Sequence, residues 1–153
     1  MSEKRIIIGC DHGGLNLKNK VVEHLKEIGY EVEDVGTYTT ESVDYPIYAK
    51  KVAHAVADGK YEKGIIICGT GIGVSIVANK VKGIRAALVS SVENATLTRE
   101  HNNANVLCLS SKDTNVNLAK EIVRTFLTTA FTYGRHERRV NKIMELEHEK
   151  TNE

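Results

Sequence analysis

The sequence predicts a Rossmann-like, doubly wound α/β fold: a five-stranded, mostly parallel sheet with helices on both faces and a C-terminal helix. Three observations carry this. Short apolar runs alternate about five times with stretches of helical periodicity. Most of the runs are continuously apolar, as strands covered on both faces are. Parallel strands need long crossovers, and the intervening segments have the length and pattern of helices. A chain of 153 residues fits one domain spanning residues 1–153.

The elements follow in order. Residues 5–10, with Ile6, Ile7 and Ile8, read as a buried first strand. Leu17, Val21, Leu25 and Ile28 share a helical face that Gly29 ends. Residues 30–35 alternate between polar and apolar, as an edge strand does. Pro46 opens a second helix, with Val52, Ala53 and Val56 inward and Gly59 closing it. Gly64 to Cys68 is the next buried strand, and a third helix runs from Gly73 to Lys80. Ile84 to Val89 reads as a strand, Glu93 to His101 as a helix, and Val106 to Leu109 as the fifth strand. A long helix covers Asn115 to Phe131, with Leu118, Ile122, Val123 and Phe126 on one face. A last helical piece, Arg138 to Lys150, carries Val140, Ile143, Met144 and Leu146. With little core left to cover them, these four suit a partner surface.

Composition excludes several classes of function. Hydrophobic residues at 41% and charged residues at 27% are globular values, not those of a disordered chain. Lys plus Arg is 21 against 20 for Asp plus Glu, so the formal charge of +1 gives no bulk attraction to nucleic acid or acidic lipid. No apolar run reaches the ~20 residues that span a bilayer, and the N-terminus has no signal-peptide layout. Cys10, Cys68 and Cys108 are odd in number and match no zinc spacing, which suits a reduced, cytoplasmic protein.

In a doubly wound sheet the ligand sits beyond the carboxyl ends of the strands. That directs attention to Asp11-His12, Cys68 to Gly73, Ser90-Ser91 and Ser110 to Lys112. Cys68-Gly69-Thr70-Gly71-Ile72-Gly73 joins a strand to a helix, and amides there attract an anion or oxyanion. The glycines are spaced G-x-G-x-G, not G-x-G-x-x-G, and no Gly-Lys-Ser/Thr follows, so neither dinucleotide nor P-loop binding is supported. A tight turn without ligand is the alternative. The helix N-terminal field favours a Cys68 thiolate, although a small core residue would also fit. Asp11-His12 suits acid/base or phosphate contact, with an Asp helix cap as the competitor. His101 precedes Asn102 and Asn103 at a helix end; an asparagine cap is expected there, but a histidine is not explained by it. Arg135 and Arg139 lie four apart and could clamp a phosphate from one helical face, or simply be solvated. His24, His54, His136 and His148 read mostly as surface residues.

Taken together, Gly9-Cys10-Asp11-His12, Asp44-Tyr45-Pro46, the Cys68–Gly73 run, Ala78-Asn79-Lys80, Gly83-Ile84-Arg85-Ala86, Arg99-Glu100-His101-Asn102 and Gly134-Arg135-His136 with Arg139 resemble the type B ribose-5-phosphate isomerases. The resemblance runs from the first strand to about residue 148. The wider family also includes galactose-6-phosphate isomerase subunits. The resemblance implies an aldose–ketose isomerase with no metal and no cofactor that interconverts D-ribose 5-phosphate and D-ribulose 5-phosphate through a cis-enediol, in the pentose phosphate pathway. It implies Cys68 as the base, with Thr70 and the amides of Gly69, Gly71, Ile72 and Gly73 stabilising the enediolate oxygen. His101 matches the ring-opening acid, and Asp11 assists at a hydroxyl. His12, Arg135 and Arg139 match phosphate contacts, and Tyr45 and Asn102 match sugar contacts. One branch of the family has Gly at the Cys68 position and a Glu six residues later; Cys68 and Val74 place this chain in the cysteine branch. The resemblance further implies a homodimer, able to pair into a dimer of dimers, with the site shared between subunits. Two rival readings are an isomerase of a six-carbon aldose 6-phosphate (allose or galactose) and a non-catalytic nucleotide-binding module.

Overall fold

The computed structural model describes residues 4–149 and builds them on one five-stranded sheet. The strands are β1 (Arg5–Cys10), β2 (Glu31–Asp34), β3 (Gly64–Cys68), β4 (Ala86–Leu88) and β5 (Val106–Ser110). The helices are α1 (Leu15–Glu27), α2 (Tyr45–Ala57), α3 (Ile72–Asn79), α4 (Val92–Asn102), α5 (Val116–Thr128) and α6 (Arg135–Glu145). The spatial strand order is β2-β1-β3-β5-β4, and every pairing is parallel, so the expected mostly parallel sheet is wholly so.

Burial explains the strand patterns. β3 and β5 are buried throughout, while β2, at one edge, alternates between exposed and half-buried. Ile65, Ile66 and Ile67 are wholly buried, each contributing up to about 2–3 kcal/mol by removal from water. They anchor Cys68 at the strand's end. One core joins the sheet to α1, α4 and α5, with Leu25, Ala95, Ile122 and Phe126 at its heart. The other joins it to α2 and α3 through Val52, Ala53, Val74 and Ala78.

The register defines two opposite edges. Cys68 pairs with Ser110 at the carboxyl edge; Gly64 and Ala86 pair with Val106 at the amino edge. The chain runs from β1 outward to β2, then crosses back to β3 on β1's other side. That reversal opens a crevice beyond the ends of β1 and β3. A second reversal sends the chain past the β5 position to β4 and back, which leaves β4 as a short edge strand.

Several expected boundaries shift for physical reasons. The fourth strand is Ala86–Leu88 rather than Ile84–Val89. The Ile84 amide donates to Val81 O, and the Arg85 amide to the side chain of Asn105 (2.8 Å). α5 ends at Thr128 rather than Phe131, because Thr129 turns extended and its carbonyl accepts from Arg99 Nε at 3.0 Å. α6 begins at Arg135, not Arg138, after Gly134 turns the chain with φ 57°. The expected end at Lys150 lies outside the described residues. Val140, expected on a partner surface, is instead buried within the chain, where α6 packs on α4.

Candidate active site

Three loops meet at the carboxyl edge, tied together by short polar bonds. Ser111 Oγ donates to Gly13 O at 2.7 Å, linking the β5 and β1 loops. The Ser111 and Lys112 amides donate to Cys68 O and Gly69 O, each at 3.0 Å, linking β5 to the glycine-rich turn. Ser110 to Lys112, which the sequence marks only by their place after a strand, thus fix the turn on which Cys68 sits.

The glycines of the turn have separate reasons. Gly71 has φ 74°, and a Cβ there would run into Leu88 and the Leu109 backbone, so only glycine fits. Gly73 lets the Tyr45 ring approach: a Cβ would lie 2.6 Å from Tyr45 Cε1. Tyr45, at the start of α2, is thereby seated against the turn while remaining 39% exposed.

The turn is an amide cradle around a thiol. The Gly71 amide donates to Cys68 Sγ at 3.1 Å, and the Ile72 amide to Thr70 Oγ1 at 3.2 Å. The next amides, Gly73 and Val74, lie in the first turn of α3, where no intrahelical acceptor exists. The cradle thus offers donors and a helix N-terminus to developing negative charge. Burial pushes the Cys10 thiol up to about 11 and Cys108 higher still, so both remain neutral core residues.

Asp11 and His12 follow β1. Asp11 Oδ1 accepts from the Gly14 amide at 3.1 Å, so it caps the short 3-10 turn His12–Gly14. A Cβ on Gly13 would lie 3.4 Å from both this oxygen and Gly69 N, so Gly13 packs between Asp11 and the glycine-rich turn. His12 is exposed, and its Nδ1 accepts the Val43 amide at 3.1 Å. An accepting Nδ1 places the proton of neutral His12 on Nε2, where it is a donor.

His101, Asn102, Arg135 and Arg139 are elsewhere. α4 returns from the carboxyl edge to the amino edge over ~16 Å, so its end lies a strand's length from Cys68. Asn102 lines a groove of about 220 Å³ with Arg85 and Ala86, at the amino end of β4. Asn103, in the left-handed region (φ 48°), is the helix cap. Arg135 and Arg139 are exposed on the same helix, α6. His136 is partly exposed, and its ring stacks on His101 with centroids 4.1 Å apart. Desolvation, then His101, Arg135 and Arg139, push His136 below the ordinary imidazole value. His24 is half-buried, with its Nε2 closed off from solvent. Among the described residues no three His, Cys, Asp or Glu side chains converge as metal ligands, and no helix is long and apolar enough to cross a membrane.

One chain therefore places its candidate residues in two groups: Asp11, His12, Tyr45 and Cys68–Gly73 at one edge, and His101, Asn102, Arg135 and Arg139 at the other. The exposed apolar residues Ile72, Ile76, Leu88 and Ile143 lie between them, on α3, the β4 edge and α6.

Comparison with known proteins gives a consistent picture. The Ribose/Galactose Isomerase family matches residues 6–143. The chain is 49% identical over 144 residues to ribose-5-phosphate isomerase B of Escherichia coli, covering 94% of this chain and 97% of that one. The structure of the Clostridium thermocellum ribose-5-phosphate isomerase B superposes with a TM-score of 0.92 at 52% identity, covering 94% of this chain and 97% of the other. That of the Mycoplasma genitalium enzyme with bound ribulose-5-phosphate superposes with a TM-score of 0.91 at 46% identity, covering 95% and 97%. The match spans both groups of residues, and the chain belongs to the ribose/galactose isomerase family.

Proposed function

We propose that this chain interconverts D-ribose 5-phosphate and D-ribulose 5-phosphate through a cis-enediol, as a single domain serving the pentose phosphate pathway. The observation that carries the reading is a thiol set in an amide cradle at the carboxyl edge, with Gly71 N–H on Cys68 Sγ. Cys68, as thiolate, takes the proton from C2 of the open-chain aldose. The electron pair moves into the C1–C2 bond and the carbonyl becomes an enediolate. The same thiol returns the proton to C1 after the hydroxyl proton has shifted. A base alone is insufficient, because the α-proton is weakly acidic. Thr70 and the amides of the Gly69–Gly73 turn supply the donors for the enediolate oxygen, each typically contributing ~3 kcal/mol. Asp11 accepts a sugar hydroxyl, Tyr45 packs on the sugar, and His12 Nε2 donates to the phosphate.

His101 as ring-opening acid, Asn102 as sugar contact and Arg135 with Arg139 as phosphate clamp complete the site only if a second chain supplies them. A homodimer with shared sites is part of the same proposal. In a two-fold interface each end of a patch meets the other end of its copy. Docking through α3, the β4 edge and α6 brings the Cys68 edge of one chain to the His101 edge of its partner. Further pairing into a dimer of dimers is compatible with this. The three free cysteines support a reducing, cytoplasmic location.

The test is a turnover and deuterium-exchange panel over pentose 5-phosphates and the 6-phosphates of allose and galactose. Ribose 5-phosphate should turn over fastest, with solvent deuterium entering at carbon. Binding of NAD or ATP by calorimetry without turnover of any sugar phosphate would replace the enzyme with a nucleotide-binding module.

A further inference from the structure

Lys18 is wholly buried on the inner face of α1, in line with Leu15 and Val21. Its Nζ donates to Asp34 Oδ1 at 2.8 Å and Thr37 O at 2.6 Å, with the Tyr38 ring 4.9 Å away. A buried ion pair is rarely retained for stability alone, since a well-packed apolar pair often serves as well. What this one secures is a corner of the chain. Asp34 Oδ1 also accepts the Gly36 amide at 2.9 Å. Gly36 O and the Thr37 amide pair with Cys10 at 2.7 and 2.8 Å, extending the sheet past the end of β2. Cys10 immediately precedes Asp11 and His12. From the same corner the chain runs to Val43, whose amide holds His12 Nδ1, and then to Tyr45 against Gly73.

We propose that Lys18 is a positioning residue of the sugar-phosphate half-site: it locks the 34–37 corner so that Val43 holds His12 with its proton on Nε2, aimed at phosphate. Lys18 touches no substrate and takes no part in proton transfer. The inference rests on the phosphate role assigned to His12 above.

The experiment uses the full chain with Lys18→Met, the double variant Lys18→Met/Asp34→Leu, and His12→Ala. Lys18→Met should raise KM for ribose 5-phosphate about tenfold while kcat stays within about twofold, the pattern of lost uniform binding. Imidazole nitrogen NMR should show that His12 Nδ1 has lost its hydrogen-bonded acceptor signature. The double variant removes both charges, so it should regain thermal stability yet keep the raised KM. If KM recovers together with stability, or if folded Lys18→Met keeps the wild-type KM and His12 spectrum, Lys18 is structural only and the proposal fails. If His12→Ala leaves KM unchanged, the phosphate role of His12 fails, and the NMR comparison still decides whether Lys18 sets the tautomer.

Discussion

At the scale of single residues, three cysteines of similar burial have different fates because of what touches them. Cys10, at the end of β1, turns its Sγ to Thr37 O and Cys108 lies inside β5, both wholly excluded from water, while Cys68, at the end of β3, has an amide on its sulfur. Cys68→Ala should keep the fold and bind sugar phosphate, yet exchange no carbon-bound hydrogen with deuterated water; undiminished exchange would move the base to Asp11. Iodoacetate should inactivate the wild type with substrate protection, while Cys10 and Cys108 react slowly. Burial raises Cys10 from 9.0 to about 11, so the unfolded chain loses that proton first. Between about pH 9 and 11 the folded state holds more protons, and stability should fall by roughly 2 kcal/mol, as read in urea midpoints. Asp11 shows the limit of reading residues singly. The sequence leaves a cap and a functional carboxylate open; the structure shows the cap, on the Gly14 amide, with only Gly13 between Asp11 and Gly69.

At the scale of elements, the proposed phosphate clamp depends on where α6 begins. Sequence periodicity starts that helix at Arg138, because the apolar pattern starts there; the Gly134 turn that starts it earlier leaves no periodic trace. With both arginines on one helix, Arg139→Ala should weaken phosphorylated substrate about tenfold or more relative to free sugar. An unchanged ratio would free Arg139 from that role. The far end of α6 is fixed as well: the Glu147 carboxylate accepts the Gly83 amide at 2.7 and 3.0 Å. Glu147→Ala should cost about 1.5–3 kcal/mol in urea unfolding if that clamp holds the helix on the domain, and nothing measurable if the end frays in solution. The strands were legible from their apolar runs and the glycine-rich turn from its composition. Lys18 was not: nothing in a lone lysine on an amphipathic helix says that it points inward.

At the scale of the whole molecule, sequence supplies the elements but not the order in which the sheet arranges them. The reading correctly placed Cys68 at a carboxyl end, yet could not see that His101, at the end of a returning helix, lies at the opposite edge. That separation makes subunit sharing testable by mixing. Cys68→Ala and His101→Asn chains, each inactive on cyclic substrate, should regain about a quarter of wild-type activity when unfolded and refolded together, since half the dimers are mixed and each has one intact site. No recovery would confine the site to a single chain. A chain ending near Gly134 should sediment as a monomer and lose turnover; a monomeric full-length chain with full activity would sink the shared-site reading.

In the proposed dimer, where a partner joins the two poles of the chain, the catalyst's own concentration also becomes a control variable. Once diluted below the point where pairs dissociate, the number of assembled sites falls with the square of the chain concentration. Specific activity then declines on dilution, and a concentrated stock added to an assay loses rate over time rather than holding it. A cell expressing little of this protein would therefore lose flux more steeply than it loses protein.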